Sequence, residues 1–390
     1  MPQLRKDGYG RAAAAGNLAP ARAVLTGKTR DFRRKMKLFS CQGCGQLLYF
    51  ENWRCEVCGR LLGYLPDRAE ITALEADGTA LGAPETAYKF CQNNALGVCN
   101  WMVPAEGAEA FCAACRHNRT IPDLSVPGND RLWGRIEAAK HRLFYSLARL
   151  GLPLENRSDD PDHGLAFDFL ADPPEPHAQG VMTGHDNGLI TLAVREADDA
   201  ARETIRGEMG EPYRTLLGHF RHESGHYFWD RLVASDPALL NACRALFGDD
   251  RLDYAQALKR HYEQGAPPDW QQTHVSMYAT THPWEDFAET WAHYLHIVDT
   301  LETAFAFALK VRPRLARGHI AAEMDFDPYA SRRFDQIVEA WLPVEFATNS
   351  LNRSMGLTDL YPFVLSGKAI EKLGFVHALV HRPLPLRVAV

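Results

Sequence analysis

The chain has 390 residues, 46% of them hydrophobic and 24% charged, enough for one large packed domain and a smaller one, and too apolar for a disordered protein. Its net charge of −6 is uneven: residues 1–35 hold nine Lys/Arg against two acidic residues, so the rest of the chain stands at −13, which argues against nucleic acid as the main partner. No apolar run approaches the roughly 18 residues that cross a bilayer, and the N-terminus lacks the apolar core of a secretory signal, so a cytoplasmic protein without membrane contact is expected.

Residues 1–35 are basic and Ala-rich without apolar periodicity, and are expected to form a disordered extension. A targeting peptide and a start codon upstream of the natural one are the rival readings, the latter because Met36-Lys-Leu-Phe-Ser-Cys41 reads as a strand-like entry into the first cysteine pair.

Residues 36–122 hold eight of the nine cysteines. Cys41-x2-Cys44, ten intervening residues and Cys55-x2-Cys58 form a zinc-ribbon or rubredoxin-like pattern, with Gly43, Gly45 and Gly59 relieving the knuckles. Four thiolates fill a tetrahedron with no open position, so this zinc is structural. Cys91, Cys99, Cys112 and Cys115 supply four more ligands and a second expected structural zinc. Clustered pairs without a secretory signal favour metal over disulfides. Residues 36–125 carry seven basic against ten acidic side chains, so the ribbon is expected to support the fold or dock a protein partner. Cys243, set among Leu239, Leu240, Leu246 and Phe247, reads as a core thiol.

From residue 123 a larger domain is expected to run to 390. Pro127-Gly128-Asn129-Asp130 marks its start, with Asn129 or Asp130 capping a helix whose apolar residues recur at helical spacing to 150. Strands are expected over 165–170 and 189–194, the second introduced by the turn Asp186-Asn187-Gly188. A helical stretch over 197–234 is split by Pro212. Further helices follow to about 263, a loop at 265–268, a helix over about 284–298, and mostly helix to 365.

The chemistry centres on His222-Glu223-Ser224-Gly225-His226. Two histidines four apart project from one helix face and can grip one metal. Glu223 would not ligate; it would accept a proton from water activated by the zinc and pass it to the leaving amine. Gly225 costs about 1 kcal/mol against Ala inside a helix, which close approach of another backbone or of substrate would explain. A catalytic zinc needs a third protein ligand and an open position. Glu285 and Glu289 share a helix face one turn apart, so one can bind zinc while the other accepts a ring N–H from a ligand histidine. His282, His293 and His296 are rivals for third ligand, and His219 could approach the cavity. His185 and Asn187 could line a cleft, and the strand after them could pair with an extended substrate. Asn352-Arg353-Ser354 could hold the C-terminal region together or reach the site.

The pentad with Glu285-Asp286-Phe287-Ala288-Glu289 resembles the gluzincins, in particular the lethal-factor-like zinc peptidases. The resemblance implies Glu285 as third ligand, Glu289 as the group orienting a ligand histidine, and Tyr278, seven residues before Glu285, as oxyanion stabiliser. With the ribbon cysteines and Asn349-Ser-Leu-Asn352-Arg353-Ser-Met-Gly356, the chain from Met36 resembles bacterial zinc-binding metallopeptidases with an N-terminal zinc-ribbon domain. The expectation is an α+β protein: a zincin-like, mostly helical metallopeptidase domain with a small antiparallel sheet behind a ribbon domain. It would carry one catalytic and two structural zinc ions and cleave a peptide or related amide. The alternative is a non-catalytic zinc protein whose ribbon docks a partner.

Overall fold

The computed structural model describes residues 38–173, 180–209, 215–314 and 320–383; the extension expected over 1–35 lies outside them. The Cys-rich part is built from three antiparallel pairs: β1 (Phe39–Ser40) with β2 (Leu47–Leu48), β3 (Leu62–Leu65) with β4 (Glu70–Ala73), and β5 (Tyr88–Phe90) with β6 (Met102–Pro104). The connections of the first and third pairs deliver cysteines: Cys41 and Cys44 between β1 and β2, Cys91 and Cys99 between β5 and β6. Gly45 and Gly59 take φ of +78° and +72°, which lets their N–H groups turn back to Cys41 O and Cys55 O at 2.7 and 2.8 Å.

After β7 (Asn118–Thr120) comes α1 (Asn129–Arg149), which buries Trp133, Ile136, Leu143, Phe144 and Leu147. Each such side chain contributes roughly 1.5–3 kcal/mol through burial. Neither expected residue caps this helix: Gly128 occupies the cap at φ 92°, and the Asn129 side-chain amide instead donates to Asp123 O at 2.9 Å.

The central sheet joins β7, β8 (Ala166–Leu170), β9 (Gly184–Asp186) and β10 (Leu189–Ala193) in the order β7-β8-β10-β9. Here β8 runs parallel to both β7 and β10, and β9 pairs antiparallel with β10. Asn187 and Gly188, at φ 44° and 82°, make the tight turn that the sequence announced. Because β9 folds back over it, β10 is an interior strand, and among the described residues the edge strand beside it is β9. The expectation that the strand after Gly188 receives substrate is therefore corrected.

The helices follow as α2 (Asp199–Met209), α3 (Leu216–Phe228), α4 (Pro237–Phe247), α5 (Tyr254–Gln264), α6 (Pro283–Ala306), α7 (Phe334–Ser354) and α8 (Gly367–Val380). Pro212, expected to split the first pair, lies outside the described residues. Thr215 caps α3 by accepting from Gly218 N at 2.9 Å, and the helix continues as a π-helical turn over Trp229–Ala234. α6 outruns its expected end because Val298, Leu301 and Ala304 continue its buried face. Residues 307–314 and 320–333 are not helical as expected. Ala308 adopts φ 48°, and β11 (Lys310–Val311) pairs with β12 (Ala322–Glu323).

The larger of two apolar clusters among the described residues runs from Phe39 to Val380. Phe50 meets Tyr145 of α1 edge-on at 5.5 Å, and Tyr64 packs on Trp101 at 4.7 Å, so the ribbon and α1 share a wall of aromatic rings. No helix among the described residues is long and apolar enough to cross a membrane.

Candidate metal centres and active site

α3 and α6 lie against each other, and Gly225 is the point of contact. A Cβ there would stand 2.8 Å from Ala288 Cα and 3.2 Å from Trp291 Cβ. This close backbone approach accounts for a glycine inside the helix. It also brings Glu285, in the first turn of α6, to the two histidines of α3.

Glu285 Oε2 stands 2.9 Å from His222 Nε2 and 3.4 Å from His226 Nε2. A tetrahedral ion with arms near 2.0 Å has edges of about 3.3 Å, so these three donors are spaced as vertices of one metal site. His222 Nδ1 faces Glu289 Oε1 at 2.7 Å, and Ser276 Oγ donates to the other Glu289 oxygen at 2.5 Å. A proton fixed on Nδ1 leaves Nε2 bare for a metal.

The electrostatics also ask for a cation. Burial opposes charge on both Glu285 and Glu289. Even so, His226 and His222 hold Glu285 well below the ordinary carboxylate range, and hydrogen bonding to His222 brings Glu289 to about 2. Burial disfavours a charged His222 as well, yet the two carboxylates raise its pKa well above the usual value. Two nitrogens and one carboxylate oxygen, with a positive charge called for between them, suit a zinc ion with room for a further ligand.

Glu223 is buried on the same helix; burial raises its pKa, and the two histidines partly offset this. The Tyr278 ring lies 5.8 Å from the His222 ring. Burial, then the charge of Glu285, hold its phenol protonated well above the usual range.

Three further residues frame the site. Tyr254, at the start of α5, donates to Glu285 Oε1 at 2.7 Å. The Trp284 ring packs on His226 at 3.8 Å. His185, on β9, lies 6.1 Å from both the His226 and Trp284 rings, and its Nε2 accepts from Gly188 N at 2.9 Å. Tyr254, Ser276 and Trp284 carried no sequence signal; Tyr254 is 31 residues from its partner.

The rival histidines are engaged elsewhere. His282 caps α6 and reaches Leu252 O, His293 pairs with the Tyr361 hydroxyl at 2.6 Å, and His296 accepts from Arg221 at 2.6 Å. His219 pairs with Glu196. Asn187 meets His163 at 2.9 Å. Asn352 donates to Thr358 O at 2.8 Å and Arg353 grips Asp359, so both secure the loop after α7.

The eight N-terminal cysteines gather as two clusters, Cys41/Cys44/Cys55/Cys58 and Cys91/Cys99/Cys112/Cys115, each with sulfurs within 4.8 Å of one another. Cys41–Cys58 and Cys44–Cys55 are 3.5 Å apart, and Cys99–Cys112 is 3.7 Å; the edge of a four-thiolate zinc site is about 3.8 Å. Cys243 is buried and its thiol is pushed up to about 12 by burial, as a core residue should be.

The convergent donors and the two cysteine clusters mark the class: a zinc-binding protein with an N-terminal zinc ribbon. The chain belongs to the family described as "Putative zinc-binding metallo-peptidase", whose model matches residues 129–379, and residues 38–126 match a zinc-ribbon domain. Similar proteins include "Uncharacterized protein Rv2568c" of Mycobacterium tuberculosis and "Uncharacterized protein Mb2598c" of Mycobacterium bovis. Each is 43% identical over 350 residues, covering 90% of this chain and 97% of the relative. No solved structure matches the chain.

Proposed function

We propose that the chain is a gluzincin-type zinc peptidase that hydrolyses a peptide or related amide bond. The observation that carries this reading is the convergence of His222 Nε2, His226 Nε2 and Glu285 Oε2 beside the buried carboxylate of Glu223. A zinc ion held by these three side chains supplies Lewis-acid polarisation of the scissile carbonyl and acidifies a water molecule.

The chain's own residues do the remaining work. Glu223 accepts the proton that the attacking water gives up and returns it to the leaving amine; its burial-raised pKa suits both halves of that task. Tyr278 donates its hydroxyl to the developing oxyanion, an effect worth about 3 kcal/mol for one well-placed donor. Glu289, anchored by Ser276, keeps His222 in the tautomer that presents Nε2. The open edge of β9 offers backbone groups to an extended substrate. The two cysteine clusters hold structural zinc in a ribbon domain over 36–122, giving three ions per chain with the catalytic one at 123–390.

The test is Glu223→Gln with a peptide pool from a digested proteome, read by mass spectrometry, alongside zinc content. Cleavage should vanish while the zinc count stays. Unchanged cleavage would falsify the mechanism, and a wild-type protein that cuts nothing in such pools would favour a non-catalytic zinc protein.

A further inference from the structure

Beside the four sulfurs of the second cysteine cluster lie His141 and Glu137, more donors than a tetrahedral zinc takes, and the Glu137 carboxylate is already held by Lys140, Asn118 and Trp133. His141, on α1, sets Nε2 at 3.2 Å from Cys99 Sγ, 3.8 Å from Cys115 Sγ and 3.9 Å from Cys112 Sγ. With zinc arms of about 2.3 Å to sulfur and about 2.0 Å to nitrogen, a tetrahedron has sulfur–nitrogen edges of about 3.6 Å. The imidazole therefore sits where a fourth ligand would.

Its orientation is fixed. Nδ1 donates to Glu137 O, one turn earlier, at 2.6 Å, so in the neutral ring Nε2 carries the lone pair. The ring is buried and packs on Trp101 at 4.9 Å. Cys91 is the one sulfur of the four with which His141 makes no such approach. The Cys91 sulfur instead accepts from Cys112 N at 3.3 Å. At the first cluster, among the described residues, only the four cysteines form the donor group.

We propose that His141 is a reserve ligand: the second centre holds its ion through four cysteines or through Cys99, Cys112, Cys115 and His141, with Cys91 released. The exchange breaks one metal–sulfur bond and forms one metal–nitrogen bond. No electron moves, and the departing thiolate takes a proton from solvent. The second centre can thus surrender a thiol without losing its ion, and α1 of the metallopeptidase region becomes a direct party to the ribbon's metal.

The test needs no enzymatic readout. Zinc per chain and the cobalt(II) absorption spectrum are measured for the full-length wild type, Cys91→Ser, His141→Gln and the double variant. Each single variant should keep the wild-type count. The cobalt difference spectrum of Cys91→Ser should shift to that of three sulfurs and one nitrogen. The double variant should lose one equivalent, as should Cys41→Ser in the first cluster, which has no reserve. Loss of an equivalent by Cys91→Ser alone, or the full count in the double variant, overturns the proposal. If Cys91→Ser does not fold, Cys91→Ala asks the same question without adding a polar group.

Discussion

The Tyr254 hydroxyl donates a hydrogen bond to Glu285 Oε1, while the other oxygen of the same carboxylate faces His222 and His226. With a zinc ion at the proposed site, the phenol would occupy one Glu285 oxygen and leave the other for the metal. Tyr254→Phe removes that hydrogen bond with little change in packing. Zinc affinity at this site should fall about 10-fold to 100-fold, the usual cost of losing a partner behind a metal ligand. Competition with a chromophoric chelator measures this, and an unchanged affinity would dismiss the hydroxyl as incidental.

A graded series is expected behind His222. Glu289→Ala removes the acceptor at Nδ1 and should weaken zinc binding by a similar factor. Ser276→Ala removes only the support of Glu289 and should cost less, about 1 kcal/mol or several-fold. Equal losses in the two variants, measured by the same competition, would contradict the order of the chain from Ser276 to Glu289 to His222.

Gly225→Ala sets helix propensity against packing. Alanine gains about 1 kcal/mol in an open helix, but here the new methyl meets the α6 backbone at 2.8 Å, which has no flexible end to move. Overpacking of this kind costs about 1–3 kcal/mol. The variant should melt several degrees lower, and because any relief pushes α3 from α6, it should also bind zinc more weakly at His222, His226 and Glu285. A rise in Tm with intact zinc affinity would refute the close approach.

His117 predicts a pH effect. Burial, assisted by Arg116 and Lys140, lowers its pKa to about 3. A histidine kept neutral in the fold and free to protonate in the unfolded chain leaves stability intact above its ordinary value near 6.5. Stability is then lost as pH falls from there towards 3. By pH 5 this one group should cost roughly 2 kcal/mol. The gap in unfolding free energy between wild type and His117→Phe should therefore shift in favour of the variant between pH 7.5 and pH 5; a constant gap would assign the acid sensitivity elsewhere.

Much of the site could be read in the sequence because it is local. The knuckles, the histidines four apart and the two glutamates one turn apart are written within single elements, and helix geometry alone places each group on one face. The Asn187-Gly188 turn was legible for the same reason. Tyr254, Ser276, Trp284 and His141 were not, because the residues they meet are supplied by other turns and helices of the fold. The order of the sheet was equally hidden: nothing in residues 189–193 says that β9 will cover that strand. Asn129 shows a smaller failure, since its amide had a competing acceptor in Asp123 O that no capping rule weighs.

The rings of Phe50 and Tyr145 meet across the line between ribbon and helix. A chain synthesised without its ribbon metals would leave Tyr145, and with it α1, facing an unfinished wall. Packing of α1 would then depend on metal held in the ribbon, so metal supply would set how much of the chain reaches its final fold.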